Sequence, residues 1–273
     1  RILKNYSEAE LNYGKLAAKN PSDPMVYYYY GEALLNNNKY DDAKKQFLAY
    51  SDMSPNDHKG RLYAKACDDI KNLQGTPALY KVYNLEKLNS PLSDFCPVFY
   101  KNWIVFSSER IRDIITNTQN NSTGNPYLSL VYAKGRKEKD SIVYDDNVTL
   151  FNKKFSNDGR YGSACYGPAC FNADFTEIYY TKVDNNVKRG ALSQPKLYWS
   201  KHGSGWSKSV PMPFASDDYA TGHPSISKDG QYLFFASNMP GGQGGTDLWV
   251  SKKEGDTWGH PQNLGAGINT KEN

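Results

Sequence analysis

The chain has 273 residues, enough for two domains. Its net charge of +4 is spread without long runs, which argues against a nucleic-acid surface, and no basic stripe interleaved with aromatics appears. Mean hydropathy is −0.74, and no apolar run approaches the roughly 20 residues of a membrane-spanning helix.

Residues 1–72 read as helix. Pro24-Met-Val-Tyr-Tyr-Tyr-Tyr30-Gly31-Glu-Ala-Leu34 and Asp41-Asp42-Ala43-Lys-Lys-Gln-Phe47-Leu-Ala-Tyr50 carry apolar residues at helical spacing, broken by Asn36–Asn38. Pro24 suits a first helical turn, and Pro55 follows the end of the second helix. The order Tyr27, Tyr30, Gly31, Leu34, Ala43, Phe47, Pro55 resembles the tetratricopeptide repeat, with Tyr where that family often has Trp. Thirty-four residues before Ala43, Phe47 and Pro55 stand Ala9, Tyr13 and Pro21, which agrees with the period of that repeat. The expectation is that residues 1–21 hold the second helix of a preceding repeat and residues 57–72 a first or capping helix. Gly31 and Ala43 are the small residues that let two helices approach closely. Such an array grips a partner segment on its concave face, or else buttresses the next domain.

Residues 73–78 read as a linker. From residue 79 to 273 the texture changes to short aromatic and β-branched runs bounded by Asn, Asp, Gly and Pro. Three units align. The first runs from Ser93-Asp94-Phe95-Cys96-Pro97 through Asn102–Ser108 to Tyr127–Tyr132. The second runs from Gly167-Pro168 through Glu177–Thr181 to Lys196–Ser200 and Trp206. The third runs from His223-Pro224 through Tyr232–Ala236 to Leu248–Ser251 and Trp258. Pro168 and Pro224 are 56 residues apart, Leu197 and Leu248 are 51, and Trp206 and Trp258 are 52. Each unit reads as four antiparallel strands with a Trp-marked turn into the fourth. Asp229-Gly230 reads as a primed turn with both central residues at positive φ.

These units resemble the PD40 repeat, a WD40-like element of periplasmic TolB-type propellers, over roughly two-thirds of residues 79–273. The closest stretch is Pro224-Ser-Ile-Ser-Lys-Asp-Gly-Gln-Tyr-Leu-Phe-Phe-Ala-Ser; Asn102 and Ala173–Thr176 depart from the pattern. The expected fold is therefore α+β and multidomain. Helical tetratricopeptide hairpins precede an incomplete β-propeller of about three four-stranded blades. Asn269-Thr270 matches Asn89-Ser90, which introduces the first blade, so a fourth blade is expected to begin there and the native protein to continue.

Tetratricopeptide helices followed by PD40 blades resemble the PorE-type envelope proteins of Bacteroidetes. In that family a carboxypeptidase-regulatory-like domain and an OmpA-like peptidoglycan-binding domain follow the propeller. The motifs concerned are Asn89-Ser90…Ser93-Asp94-Phe95…Pro97, residues 223–238 and Gly241-Gly-Gln-Gly-Gly245-Thr246-Asp247-Leu248. The resemblance implies a periplasmic, outer-membrane-associated scaffold of type IX secretion or gliding machinery. Its partners would be envelope proteins such as an outer-membrane barrel or secretion component. Peptidoglycan would be reached only through domains not in this sequence.

Reactive chemistry is weakly signalled. The glycine-rich 241–245 stretch lacks the Lys-Ser/Thr of a phosphate loop, and a strand follows it. Asp247 beside it is a single carboxylate, thin material for a cation site. Ser251–Trp258 resembles the Asp-box of sialidases, with Lys253 in place of its Asp, and no arginine triad or acid pair accompanies it. His58, His202, His223 and His260 are scattered, and no Gly-x-Ser-x-Gly elbow occurs. No enzyme activity, cofactor or metal is expected. Cys165 and Cys170 are five apart and read either as a disulfide in an oxidising compartment or as two buried thiols. The loops at 111–126 and 134–150 read as long recognition insertions. The competing readings are a propeller accessory of a periplasmic peptidase or glycosidase, and a TolB-like periplasmic module.

Overall fold

A computed structural model describes residues 5–74, 82–110, 124–139, 141–151, 164–184 and 193–271. The chain divides into two compact units, Arg1–Tyr83 and Asn84–Asn273. The first is helical and the second is built from antiparallel sheets, an α+β layout.

Four helices make the first unit: α1 (Tyr6–Ala17), α2 (Met25–Asn36), α3 (Tyr40–Met53) and α4 (Lys59–Gln74). Their starts are written locally. The Asn5 side chain accepts the Glu8 N–H, and Asp23 Oδ1 accepts the Met25 N–H at 2.9 Å just ahead of Pro24. Asp57 Oδ1 does the same for Lys59 at the start of α4. α4 reaches Gln74, so the expected linker starts inside a helix; Leu73 still falls on the helical period of the preceding turns. The rest of that linker lies outside the described residues.

The second unit contains three antiparallel meanders. β1 (Asp94–Tyr100), β2 (Trp103–Ser108) and β3 (Ser129–Ala133) pair in order, and β6 (Thr149–Leu150) closes the sheet beside β3. β7 (Ala164–Phe171), β8 (Glu177–Asp184), β9 (Lys196–Lys201) and β10 (Val210–Pro211) make the second sheet. β11 (Thr221–Ile226), β12 (Tyr232–Ser237) and β13 (Asp247–Glu254) make the third, with β14 (Thr257–Trp258) and β15 (Gln262–Asn263) both on β13. Between β3 and β6 the chain forms a separate hairpin of β4 (Gly135–Glu138) and β5 (Ser141–Tyr144). The expected loop at 134–150 is therefore largely strand, because Ile142-Val143-Tyr144 are good β-formers. Of the other expected loop, residues 111–123 lie outside the described residues.

The second sheet is the middle layer. Ile178, Tyr179 and Tyr180 are consecutive and none is exposed to solvent. Ile178 and Tyr180 point into one core with Val105, Leu130 and Phe151 of the first sheet. Tyr179 points the other way, into a second core with Leu233, Phe235 and Trp249 of the third sheet. Alternate side chains of a strand leave opposite faces, so a strand covered on both sides reads as one continuous apolar run. The third sheet is covered on one side only: β12 alternates between exposed Tyr232 and Phe234 and buried Leu233 and Phe235.

Each first strand carries an irregularity at a proline. The register shifts between Phe95 and Val98, between Tyr166 and Ala169, and between Gly222 and Ser225. These gaps contain Pro97, Pro168 and Pro224. A bulge is where a strand tolerates a residue with no N–H. Cys96 and His223, each just before its proline, adopt positive φ of 51° and 54°.

The turn at Asp229-Gly230 differs from the expected primed type. Only Gly230 has positive φ (70°). Gly230 N–H donates to Ser227 C=O at 2.9 Å, and Ser227 N–H donates to Tyr232 C=O at 2.8 Å. This is the longer hairpin, a type I turn followed by a left-handed residue. The second sheet repeats it at Asn172–Glu177, where Phe175 donates to Asn172 C=O with φ 57°.

Candidate protein-interaction site

The helical unit is held by a close approach of small and aromatic residues. A Cβ on Gly31 would stand 2.8 Å from the Phe47 ring, so only glycine lets α2 and α3 pack this tightly. Leu34, Ala43 and Phe47 are buried in that core with Ala64 and Cys67 of α4. Tyr30 packs against it, while Pro55 is exposed after α3.

Tyrosine rings run through all four helices. Tyr13 of α1 lies 5.8 Å from Tyr29 of α2, and Tyr29 lies 5.6 Å from Tyr28. Tyr28 meets Phe47 and Tyr50 of α3 and, edge to face at 5.6 Å, Tyr63 of α4. Burial, with help from the Tyr63 hydroxyl, raises the Tyr28 phenol above its ordinary value. Polar ties fix the same helices. Glu10 accepts from Asn37 at 2.7 Å and from Lys39 at 2.5 Å, joining α1 to the α2–α3 turn. Lys44 pairs with Asp68 at 2.7 Å between α3 and α4. Apolar side chains also remain on the surface: Leu11 is 58% exposed on α1 and Leu62 65% on α4.

In the sheet unit, Trp249 and Trp258 are buried in the core shared by the second and third sheets, with Trp199 packed against it. Trp206 packs instead against the core between the first and second sheets. It forms an isolated bridge with His202 in the connection between β9 and the fourth strand, which begins at Val210 opposite Trp199. Lys253, standing where an Asp-box would place its Asp, reaches Glu177 of the second sheet at 3.0 Å. The glycine-rich stretch is the β12–β13 connection. Asp247 accepts N–H bonds there from Gln243 and Gly244, and one from the Asn263 side chain at 3.1 Å. Its carboxylate is thus engaged in holding a turn.

His223 sits in the β11 bulge and its N–H donates to Thr181 Oγ1 at 2.9 Å. Among the described residues, no cluster of three or more His, Cys, Asp or Glu side chains is able to hold a metal ion, and no helix is long and apolar enough to cross a membrane.

Cys165 and Cys170 are both free thiols. They stand on one strand, opposite Val183 and Tyr179. Five steps of strand span roughly 16 Å, well beyond the ~7 Å limit between bridged Cα atoms. Burial pushes the Cys170 thiol up to about 12.

Sequence reasoning missed two features of the first sheet. Asp94 pairs with Arg110 at 2.7 Å and accepts from Ser90, at the start of β1. At the other end of β1 lies an aromatic cavity of about 310 Å³ walled by Tyr100, Trp103, His202, Gly205 and Trp206. The only sequence signal for it was the Trp residues flanking short turns.

A tetratricopeptide repeat matches residues 12–45. The matched stretch runs from within α1 to within α3, so the repeat covers Gly31 and the Tyr13–Tyr29 pair and ends two residues before Phe47. No curated protein matches the chain by sequence. Among solved structures, a puromycin-hydrolysing peptidase of Mycobacterium tuberculosis is similar at 9% identity and TM-score 0.34, over 64% of this chain and 32% of that one. A structure from a study of two prolyl endopeptidases is similar at 11% identity and TM-score 0.30, over 65% of this chain and 29% of that one. The chain thus spans about a third of their length.

Proposed function

We propose that this protein is a non-enzymatic scaffold of the cell envelope, periplasmic and associated with the outer membrane, that binds other proteins through its helical unit. The observation that carries the reading is the tetratricopeptide repeat at residues 12–45, with α2 and α3 locked through Gly31 and Phe47. Helical repeats of this kind present rigid surfaces, and a rigid surface loses little entropy on docking. In this reading the three meanders are successive blades of a β-propeller. Each supplies a first strand bulged at a proline, a hairpin and a third strand. PorE-type proteins, which this order of elements resembles, then give the nearest functional class: a link between secretion or gliding machinery and the cell wall. An outer-membrane barrel or secretion component is the expected partner, and peptidoglycan would be bound by other domains.

The test is capture of envelope proteins by the intact protein from a Bacteroidetes lysate fractionated into inner membrane, periplasm and outer membrane. Recovery of outer-membrane barrel proteins, reduced by Leu11→Glu and Leu62→Glu, supports the reading. Recovery of none, with peptidase or glycosidase activity in the purified protein, overturns it.

A further inference from the structure

The aromatic cavity has no part in the scaffold reading above, and its construction is specific. Tyr100 ends β1 and Trp103 begins β2, with only Lys101 and Asn102 between them. His202 and Trp206 pinch off the 203–205 loop after β9, where Gly203 N–H donates to Gly205 C=O at 2.9 Å. Hairpins of two different sheets thus bring four rings together. Tyr100 lies 5.6 Å from Trp103 and 5.9 Å from Trp206, both at steep angles, and His202 stands edge to face on Trp206 at 5.0 Å. Trp103 is fixed from behind by Tyr132, stacked on it at 4.7 Å. Two ammonium groups overhang these rings: Lys101 at 5.6 Å from Tyr100 and Lys134 at 5.6 Å from Trp103. Among the described residues neither has a carboxylate partner.

We propose that this cavity docks a short acidic, proline-containing peptide segment of a partner protein. The proposal rests on the scaffold reading and gives it a second contact point. Proline-rich segments form an extended helix with no internal hydrogen bonds and bind between aromatic rings at low entropic cost. Rings already held by packing add little further ordering cost. The volume falls at the small end of the range for ligand cavities, roughly 300–1,000 Å³, which suits a few residues. Lys101 and Lys134, each over a ring of the cavity wall, complement acidic residues flanking the prolines.

The probe is a fluorescein-labelled peptide of repeated Glu-Pro-Pro units, titrated into the purified full chain and followed by anisotropy. Glu-Gly-Gly and Lys-Pro-Pro peptides and a chitin oligosaccharide serve as comparisons. The expected result is saturable binding of the Glu-Pro-Pro peptide alone. The surface pair Lys101→Glu with Lys134→Glu, which leaves the cores untouched, is expected to weaken it roughly tenfold or more. Trp103→Leu is expected to abolish it, with circular dichroism reporting the fold. No saturable binding, equal binding of Glu-Gly-Gly, indifference to the lysine reversals, or binding of the oligosaccharide in its place each overturns the proposal. Envelope capture by the helical unit is read in a separate assay, so the failure of one reading is distinguishable from the failure of the other.

Discussion

Lys253 of β13 donates to both carboxylate oxygens of Glu177 on β8, at 3.0 and 3.2 Å, joining the third sheet to the second across 76 residues of chain. The Tyr179 hydroxyl donates to the same carboxylate at 2.6 Å. The Lys253 ammonium also lies 5.8 Å from the Trp258 ring. Glu177 is buried, and these donors satisfy the hydrogen-bonding capacity of its carboxylate. Lys253→Ala is expected to destabilise the protein by about 1–3 kcal/mol, the range for a buried pair discounted for partial exposure of the lysine. A double-mutant cycle with Glu177→Gln in urea should give a coupling of about 1 kcal/mol or more. Additive effects would show that the pair contributes nothing beyond its separate residues.

Two glycines of the helical unit separate packing from helix propensity. Gly31→Ala gains about 1 kcal/mol of propensity. It also forces a methyl to 2.8 Å from Phe47, whose ring is fully buried. Overpacking of this kind costs about 1–3 kcal/mol, so the net expectation is destabilisation. Gly14→Ala meets only the end of the Tyr30 side chain, at 3.2 Å, and is expected to be neutral or stabilising. Thermal melts of the two variants that shift in the same direction would refute the packing argument.

Gly230 and Phe175 hold the same left-handed place in sister turns. A Cβ at Gly230 meets open space, so Gly230→Ala should cost about 1 kcal/mol of backbone strain alone. Phe175 carries that strain while its ring packs 5.6 Å from Tyr100. Phe175→Gly is therefore expected to destabilise despite relieving φ, because the lost ring packing outweighs the relief. A stabilised Phe175→Gly in chemical denaturation would reverse that ranking.

Asp94 sets an acid limit. Burial by itself would raise its carboxyl, but hydrogen bonds from Ser108, Arg110 and Ser90 outweigh it and hold the group below its usual value. A lowered folded value stabilises above the unfolded value of about 3.9 and is lost as pH falls through the folded one. Stability against urea should decline below roughly pH 4 more steeply in the native protein than in Asp94→Asn. Equal pH profiles for the two would exclude Asp94 as the titrating group.

Thiol reactivity follows burial. All four cysteines should react with Ellman's reagent in denaturant without prior reduction. In the native protein at pH 8, exposed Cys96 should react first and Cys170, held protonated by burial, should resist. A denatured count of two thiols would mean that a disulfide forms after all.

What the sequence determined by itself is local. Tyr27 to Pro55 set the helix phase because apolar spacing and small residues at 31 and 43 are fixed by the 3.6-residue turn. The three β-meanders were legible because each hairpin carries its turn chemistry within a few residues. Tertiary structure decided the rest. It set which face of β8 meets which sheet, sending Tyr179 one way and Tyr180 the other. It left Asp229 out of the left-handed region, because the Ser227–Tyr232 backbone pairing admits a longer turn. It brought Lys253 to Glu177 and the rings of Tyr100, Trp103, His202 and Trp206 to one cavity. Residues this far apart in sequence meet only when sheets pack, and neither periodicity nor turn chemistry encodes that meeting.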